Sequence, residues 1–139
     1  MADEANNVEL LKPAYKDWRD TKGASVDSWM KVCSDNIAFG SLAQGAAPAA
    51  NYLTAYSSRE TLKGYFEGLA RDWEMLDWRT NQYIAQGDRV VVLCHCTWRY
   101  KKTGKVVATP KADVWRIADG KAVEFYEYFD TAQLHAAVV

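Results

Sequence analysis

Asp113 and Glu127 are the side chains in this sequence best placed to do chemistry. Each sits in a run of large apolar residues, ADVWRI over 112–117 and EFYEYFD over 124–130. The Asp119-Gly120 dipeptide between the runs is a β-hairpin signal. Strand side chains alternate, so Asp113 shares a face with Trp115 and Ile117, and Glu127 with Phe125 and Phe129. Glu124, Tyr126, Tyr128 and Asp130 take the other face of the second run. Two carboxylates in one enclosed apolar site would share a proton, one of them with a raised pKa, and so supply an acid and a base near neutrality. The competing reading is a buried ion pair with Lys111, Arg79 or Arg99 that only holds the sheet together. Alternation alone leaves either face of the hairpin free to point inward.

Other candidates carry a plain reading beside a chemical one. His95 shares a strand face with Leu93, Thr97 and Arg99, opposite Cys94, Cys96 and Trp98. Facing inward, it would titrate near physiological pH; facing outward, it is an ordinary strand histidine. Cys94 and Cys96 lie on one face and cannot readily bond each other, so with Cys33 they read as small hydrophobes. Cys94-His95-Cys96 has no second ligand cluster at zinc spacing, and no metal site is expected. Six Trp and eight Tyr are the unusual feature of the composition, and such rings gather in cores, interfaces and ligand pockets. Trp78, Trp98 and Trp115 are expected to line an interior or a dimer face. Tyr52 and Tyr56, beside a loop, could close over a ligand or anchor the surface.

Periodicity indicates which elements hold these groups. Val8, Leu11, Tyr15 and Trp18 predict a helix over 5–20, with a kink or a late start at Pro13, and Thr21-Lys22-Gly23 ends it. A second helix, capped by Ser25, carries Val26, Trp29, Met30 and Cys33 and stops near Asp35-Asn36. A short strand over 37–42 follows, then a loop over 43–56 marked by Gly45 and Pro48. Ser57 and Glu60 fit a capping box for a third helix carrying Leu62, Tyr65, Phe66, Leu69 and Trp73, in which Gly64 and Gly68 suggest close packing. From Met75 the period becomes two, giving strands near 76–86, 89–100, 106–117 and 122–130. Helices followed by a curved antiparallel meander make an α+β domain over 1–139.

Bulk composition narrows the partners. At 139 residues, 49% hydrophobic and 25% charged, the chain can bury a core without disulfides or metal. A net charge of −1, with no basic face beyond Lys101, Lys102 and Lys105, argues against nucleic acid and anionic membranes. No signal peptide or membrane span is evident, so a cytoplasmic protein is expected. A sheet face this aromatic predicts a homodimer through it.

The element order and the stretch WRIADGKAVEFYEYFD resemble the SnoaL-like and ketosteroid-isomerase-like proteins of the nuclear-transport-factor-2-like superfamily. The resemblance implies a cystatin-like α+β roll: a curved, mainly antiparallel sheet wrapped round helices as a cone with an internal pocket. Isomerases, cyclases, dehydratases, epoxide hydrolases and non-catalytic modules share that fold, so activity must be argued from the site. The resemblance turns Glu127, Phe125 and Phe129 inward, opposite Asp113. By similarity, Tyr15 and Asp113 match the oxyanion-hole tyrosine and protonated aspartic acid of the isomerases. The isomerase base position falls near Ser41, and no acid lies from Ile37 to Arg59. In the epoxide-hydrolase branch an arginine precedes the aspartate by two residues; here Lys111 stands there, without the bidentate fork.

The expected site is therefore Asp113, Glu127 and Tyr15 as the catalytic group. Trp18, Phe39, Tyr52, Tyr56, Phe66, Trp78, Trp98, Trp115, Phe125, Phe129 and His95 are the expected lining. The expected activity is cofactor-free acid–base isomerisation, cyclisation or hydration of a small apolar carbonyl compound. The alternatives are an epoxide-hydrolase-like enzyme and a non-catalytic binding or interaction domain. If either carboxylate points outward, or a lysine or arginine caps both, the reading of Asp113 and Glu127 as a catalytic pair fails.

Overall fold

The computed structural model describes residues 3–44 and 48–139. Five strands form one sheet: β1 (Cys33–Ser41), β2 (Trp73–Gln86), β3 (Arg89–Tyr100), β4 (Val106–Ala118) and β5 (Lys121–Phe129). Their order is β1-β5-β4-β3-β2. All neighbours pair antiparallel except β1, which runs parallel to β5. The sheet is curved and does not close. Register shifts in β2 between Met75 and Asp77, and between Thr80 and Gln82, are the irregularities that let a long strand bend. Its concave face holds helices α1 (Glu4–Asp20), α2 (Val26–Val32) and α3 (Arg59–Asp72), and α4 (Thr131–Ala137) follows the last strand. Among the described residues, no helix is long and apolar enough to cross a membrane.

Several local expectations shift. Helix α1 starts at Glu4, capped by Asp3, and continues unbroken past Pro13, so the late start does not occur. Proline removes one backbone donor, but the buried stripe of Leu11, Ala14, Tyr15 and Trp18 keeps the helix docked. Helix α2 stops at Val32, because Cys33 already pairs with Ala122 in the sheet. Ser25 occupies its N-cap position without a side-chain cap bond. The cap of α3 is Ser58, not Ser57: its side chain accepts from Thr61 N at 3.1 Å. Trp73 leaves the helix and opens β2 opposite Tyr100. Gly45 lies outside the described residues.

The segment after Pro48 is pinned rather than loose. Phe39 and Tyr56 exchange backbone hydrogen bonds of 2.9 and 2.8 Å. The Tyr56 hydroxyl donates to Tyr52 O at 2.6 Å, and Trp73 Nε1 donates to the Tyr52 hydroxyl at 2.9 Å. The Tyr52 ring lies flat against Gly68, where an added Cβ would sit 2.3 Å from the ring. Gly64, four residues earlier, has nothing nearer than 3.8 Å.

The two glycines should therefore respond with opposite signs. Gly68→Ala should destabilise the fold by about 1–3 kcal/mol through overpacking. Gly64→Ala should be neutral or stabilising by up to about 1 kcal/mol through helix propensity. Urea denaturation of both variants checks the contrast, and equal effects would contradict it.

Candidate active site

Strand register sets the site. Asp113 on β4 and Glu127 on β5 are direct cross-strand partners, and Ser41 on β1 is the parallel partner of Glu127. Two carboxylates facing each other repel unless something lies between them. Lys111, two residues before Asp113, has its side chain on the same face. Its ammonium lies 3.1 Å from Asp113 Oδ1 and 3.0 Å from Glu127 Oε1. Lys111 is 11% exposed, and the two acids 3% and 2%. The ammonium also sits over the rings of Trp78 and Phe125, at 5.2 and 5.8 Å. Lys111 caps both acids, so the expected catalytic pair, two carboxylates sharing a proton with no cation beside them, is not what the fold holds. The site is a buried triad, with lysine between the acids.

Hydrogen bonds tie the triad to three other elements. Tyr15 on α1 donates to Asp113 Oδ2 at 2.6 Å and accepts from Trp115 Nε1 at 2.8 Å. Ser41 Oγ donates to Glu127 Oε2 at 2.7 Å, and Tyr65 on α3 donates to Oε1 at 2.9 Å. Glu127 is thus held by two hydroxyls and an ammonium. Asp113 Oδ1 has no aligned hydrogen-bond donor, since the lysine contact is off the bonding axis.

Ionisation follows from this geometry. Burial raises the Asp113 carboxyl above its usual range, against the opposing pull of Lys111 and the Tyr15 hydroxyl. Burial alone would lower Lys111, but Asp113 and Glu127 together hold it well above the usual lysine value, so it is a firm ammonium. Tyr15 and Tyr65 are pushed up by burial and by the carboxylates they serve, which keeps both as neutral donors. The arrangement supplies a fixed positive charge, a carboxylate beside it, and a second acid inclined to keep its proton.

Two cavities meet at Lys111. The larger, about 70 Å³, has Trp18, Tyr65, Trp78, Trp98, Phe129, Cys96 and Glu127 among its walls. The smaller, about 30 Å³, is bounded by Tyr15, Phe39, Phe66, Trp115, Phe125 and Asp113, and again by Trp18, Tyr65 and Trp78. Three expected lining residues fall elsewhere. His95 points off the opposite face of β3 from Cys94 and Cys96, beside Arg79. Tyr52 is engaged with Gly68 and Trp73, and Tyr56 lines a groove on the outer side with Tyr126 and Tyr128. Arg79 and Arg99 pair with Asp77 and Glu74 and play no part in the triad.

A family model described as a SnoaL-like domain matches residues 20–125, most of the chain. The chain belongs to the SnoaL-like domain family. A search of curated proteins gives no match. Among solved structures, an NTF2-like protein of unknown function from Burkholderia pseudomallei superposes with a TM-score of 0.83 at 17% identity, covering 96% of this chain and 98% of that one. A protein described as a SnoaL-like polyketide cyclase, from a Jannaschia species, gives 0.78 at 16% identity, covering 97% and 92%. A ketosteroid-isomerase-like-fold protein from Catenulispora acidiphila, solved in complex with trimethylamine, gives 0.73 at 13%, covering 93% and 91%. At such identities these neighbours establish the fold alone.

Within this SnoaL-like site, sequence reasoning overlooked Tyr65 as a carboxylate partner, because its position on the α3 stripe looked like core packing. Ser41 was noticed only as the place where a base is missing. Its hydroxyl in fact donates to Glu127 on the neighbouring strand.

Removing the cation is the direct test of the triad. Lys111→Met should cost about 3–5 kcal/mol at neutral pH, because it leaves two unpaired buried carboxylates. Without the lysine, the burial that already raises the Asp113 carboxyl loses its main opposition, so the variant should regain stability as pH falls. Denaturation curves at several pH values check this; a pH-independent deficit would count against it. In the intact protein the raised Asp113 value has the same sign: stability falls as pH rises from about the unfolded value of 3.8 through the folded one, and Asp113→Asn should remove that slope.

Proposed function

We propose that this SnoaL-like chain is a small-molecule pocket protein that performs cofactor-independent acid–base chemistry on a small, largely apolar carbonyl compound. The observation that carries this reading is the placement of Lys111 and Glu127, an ion pair of 3.0 Å, on the wall of one aromatic cavity. The ligand's carbonyl oxygen rests on the Lys111 ammonium, which stabilises negative charge as an enolate forms. Glu127 takes the proton from the adjacent carbon. Glu127 then gives that proton back at another carbon, which restores the base. Asp113, on the far side of Lys111 beside the smaller cavity, holds the ammonium in place. Tyr15 orients Asp113 by donating to its Oδ2. Isomerisation uses these steps directly, and cyclisation uses the enolate as the attacking carbon. Hydration of an enone forms the same enolate when Glu127 takes its proton from the attacking water. The same proposal includes a cytoplasmic homodimer joined through the outer sheet face, where Tyr128 is 46% exposed beside Tyr126.

A second reading is favoured by one specific feature: Lys111 contacts both carboxylates, as a purely structural strut would. On that reading the cavity binds a ligand and no proton moves.

Hydrogen exchange separates the two without a known substrate. Small ketones and enones are incubated with the protein in heavy water, and loss of α-hydrogen signal is followed by NMR. On the catalytic reading the protein accelerates exchange, and Glu127→Gln slows it by about 10²-fold or more while ligand shifts persist. Binding with exchange no faster than in the Glu127→Gln variant would leave the non-catalytic reading standing.

A further inference from the structure

We infer that Trp18 and Trp78 set the size of the ligand, restricting it to an acyclic carbonyl compound of about four heavy atoms, fewer than the six carbons of benzene that a 150 Å³ apolar cavity accepts. This deepens the proposed function and rests on it. The interior is divided rather than continuous. Trp18, Tyr65, Trp78 and Lys111 border both cavities, of about 70 and 30 Å³, and so form the partition. The larger cavity alone has less than half the benzene benchmark.

None of the partition is slack. Tyr65 and Lys111 are fixed by Glu127, at 2.9 and 3.0 Å. Trp78 is buried, and its Nε1 donates to Thr80 Oγ1 at 3.0 Å. The Trp18 ring is wedged among four others: Trp29 at 5.9 Å, Phe66 at 5.8 Å, Trp98 at 6.2 Å and Trp78 at 6.5 Å between centroids. Turning either indole aside would drive it into rings packed at interior density. Since Lys111 and Tyr65 belong to the anchor, the two tryptophans are the parts of the wall that govern size alone. Fused-ring compounds are excluded even though their larger apolar surface would otherwise make them the tighter ligands.

A graded ketone series tests this. Binding of acetone, cyclopentanone and indanone is measured from indole N–H chemical shifts in the intact protein, Trp18→Leu and Trp78→Phe. Two wall variants are used so that a folding failure in one does not end the experiment. In the intact protein, affinity should fall along the series, the reverse of the hydrophobic order. Each wall variant should raise indanone affinity by at least about tenfold, the discrimination a reshaped apolar pocket provides. Tighter binding of indanone than acetone by the intact protein would overturn the inference, as would wall variants that gain nothing. Lys111→Met serves as the separate control. If acetone still binds there and the size order persists, the size limit stands and the carbonyl anchor falls. If the size order is lost in the intact protein while Lys111→Met abolishes binding, the anchor stands and the size limit falls.

Discussion

A lysine ammonium buried between two carboxylates on adjacent strands is the interaction on which this interior depends. The sheet register places Asp113 and Glu127 face to face, a pairing that is repulsive in an apolar interior. Lys111 arises from the same alternation, two residues along β4, and converts the repulsion into a triad. A buried ion pair gains little over an apolar core of equal shape, yet losing one member is severe. The triad therefore makes the register and the inward face of this hairpin costly to change.

Its hydrogen bonds explain why the helices sit where they do. Tyr15 connects α1 to β4, Tyr65 connects α3 to β5, and Ser41 connects β1 to β5, each through a carboxylate oxygen. Rings fill the remaining space: Trp29 stacks on Trp115 at 5.6 Å and Phe39 on Phe125 at 4.3 Å. A polar cluster satisfied on nearly every side and walled by aromatics is rigid, which suits preorganised charge better than accommodation of varied ligands. One polar atom breaks the pattern, Asp113 Oδ1, and it lies beside the smaller cavity.

The strands and the α+β arrangement were legible in the chain because period-two alternation after Met75 and the Asp119-Gly120 turn are local signals. Boundaries were less so. Cys33 and Trp73 read as helical because their spacing fits a stripe, but sheet pairing with Ala122 and Tyr100 claimed them. Ser57 and Ser58 offered equally good caps in sequence, and only the path of the chain selected Ser58. For the site, the pattern named Asp113, Glu127 and Lys111, and the family resemblance added Tyr15, but their relation was left open. It placed His95, Tyr52 and Tyr56 at the pocket when each turned elsewhere.

The amino-acid sequence by itself determined which residues share a strand face, since alternation depends only on backbone geometry. That is enough to set Lys111 with Asp113, and Glu127 with Phe125 and Phe129. Tertiary structure alone decided which face turned inward, that the lysine stood between the two acids, and that Ser41 and Tyr65 completed Glu127. Those outcomes depend on inter-strand register and helix docking, which bring together groups as far apart as Ser41 and Glu127, 86 positions along the chain. No local pattern encodes a distance of 3 Å between such residues. The packing of Trp18 and Trp78 against Tyr65 and Lys111, which divides the cavity in two, was likewise a property of the folded interior.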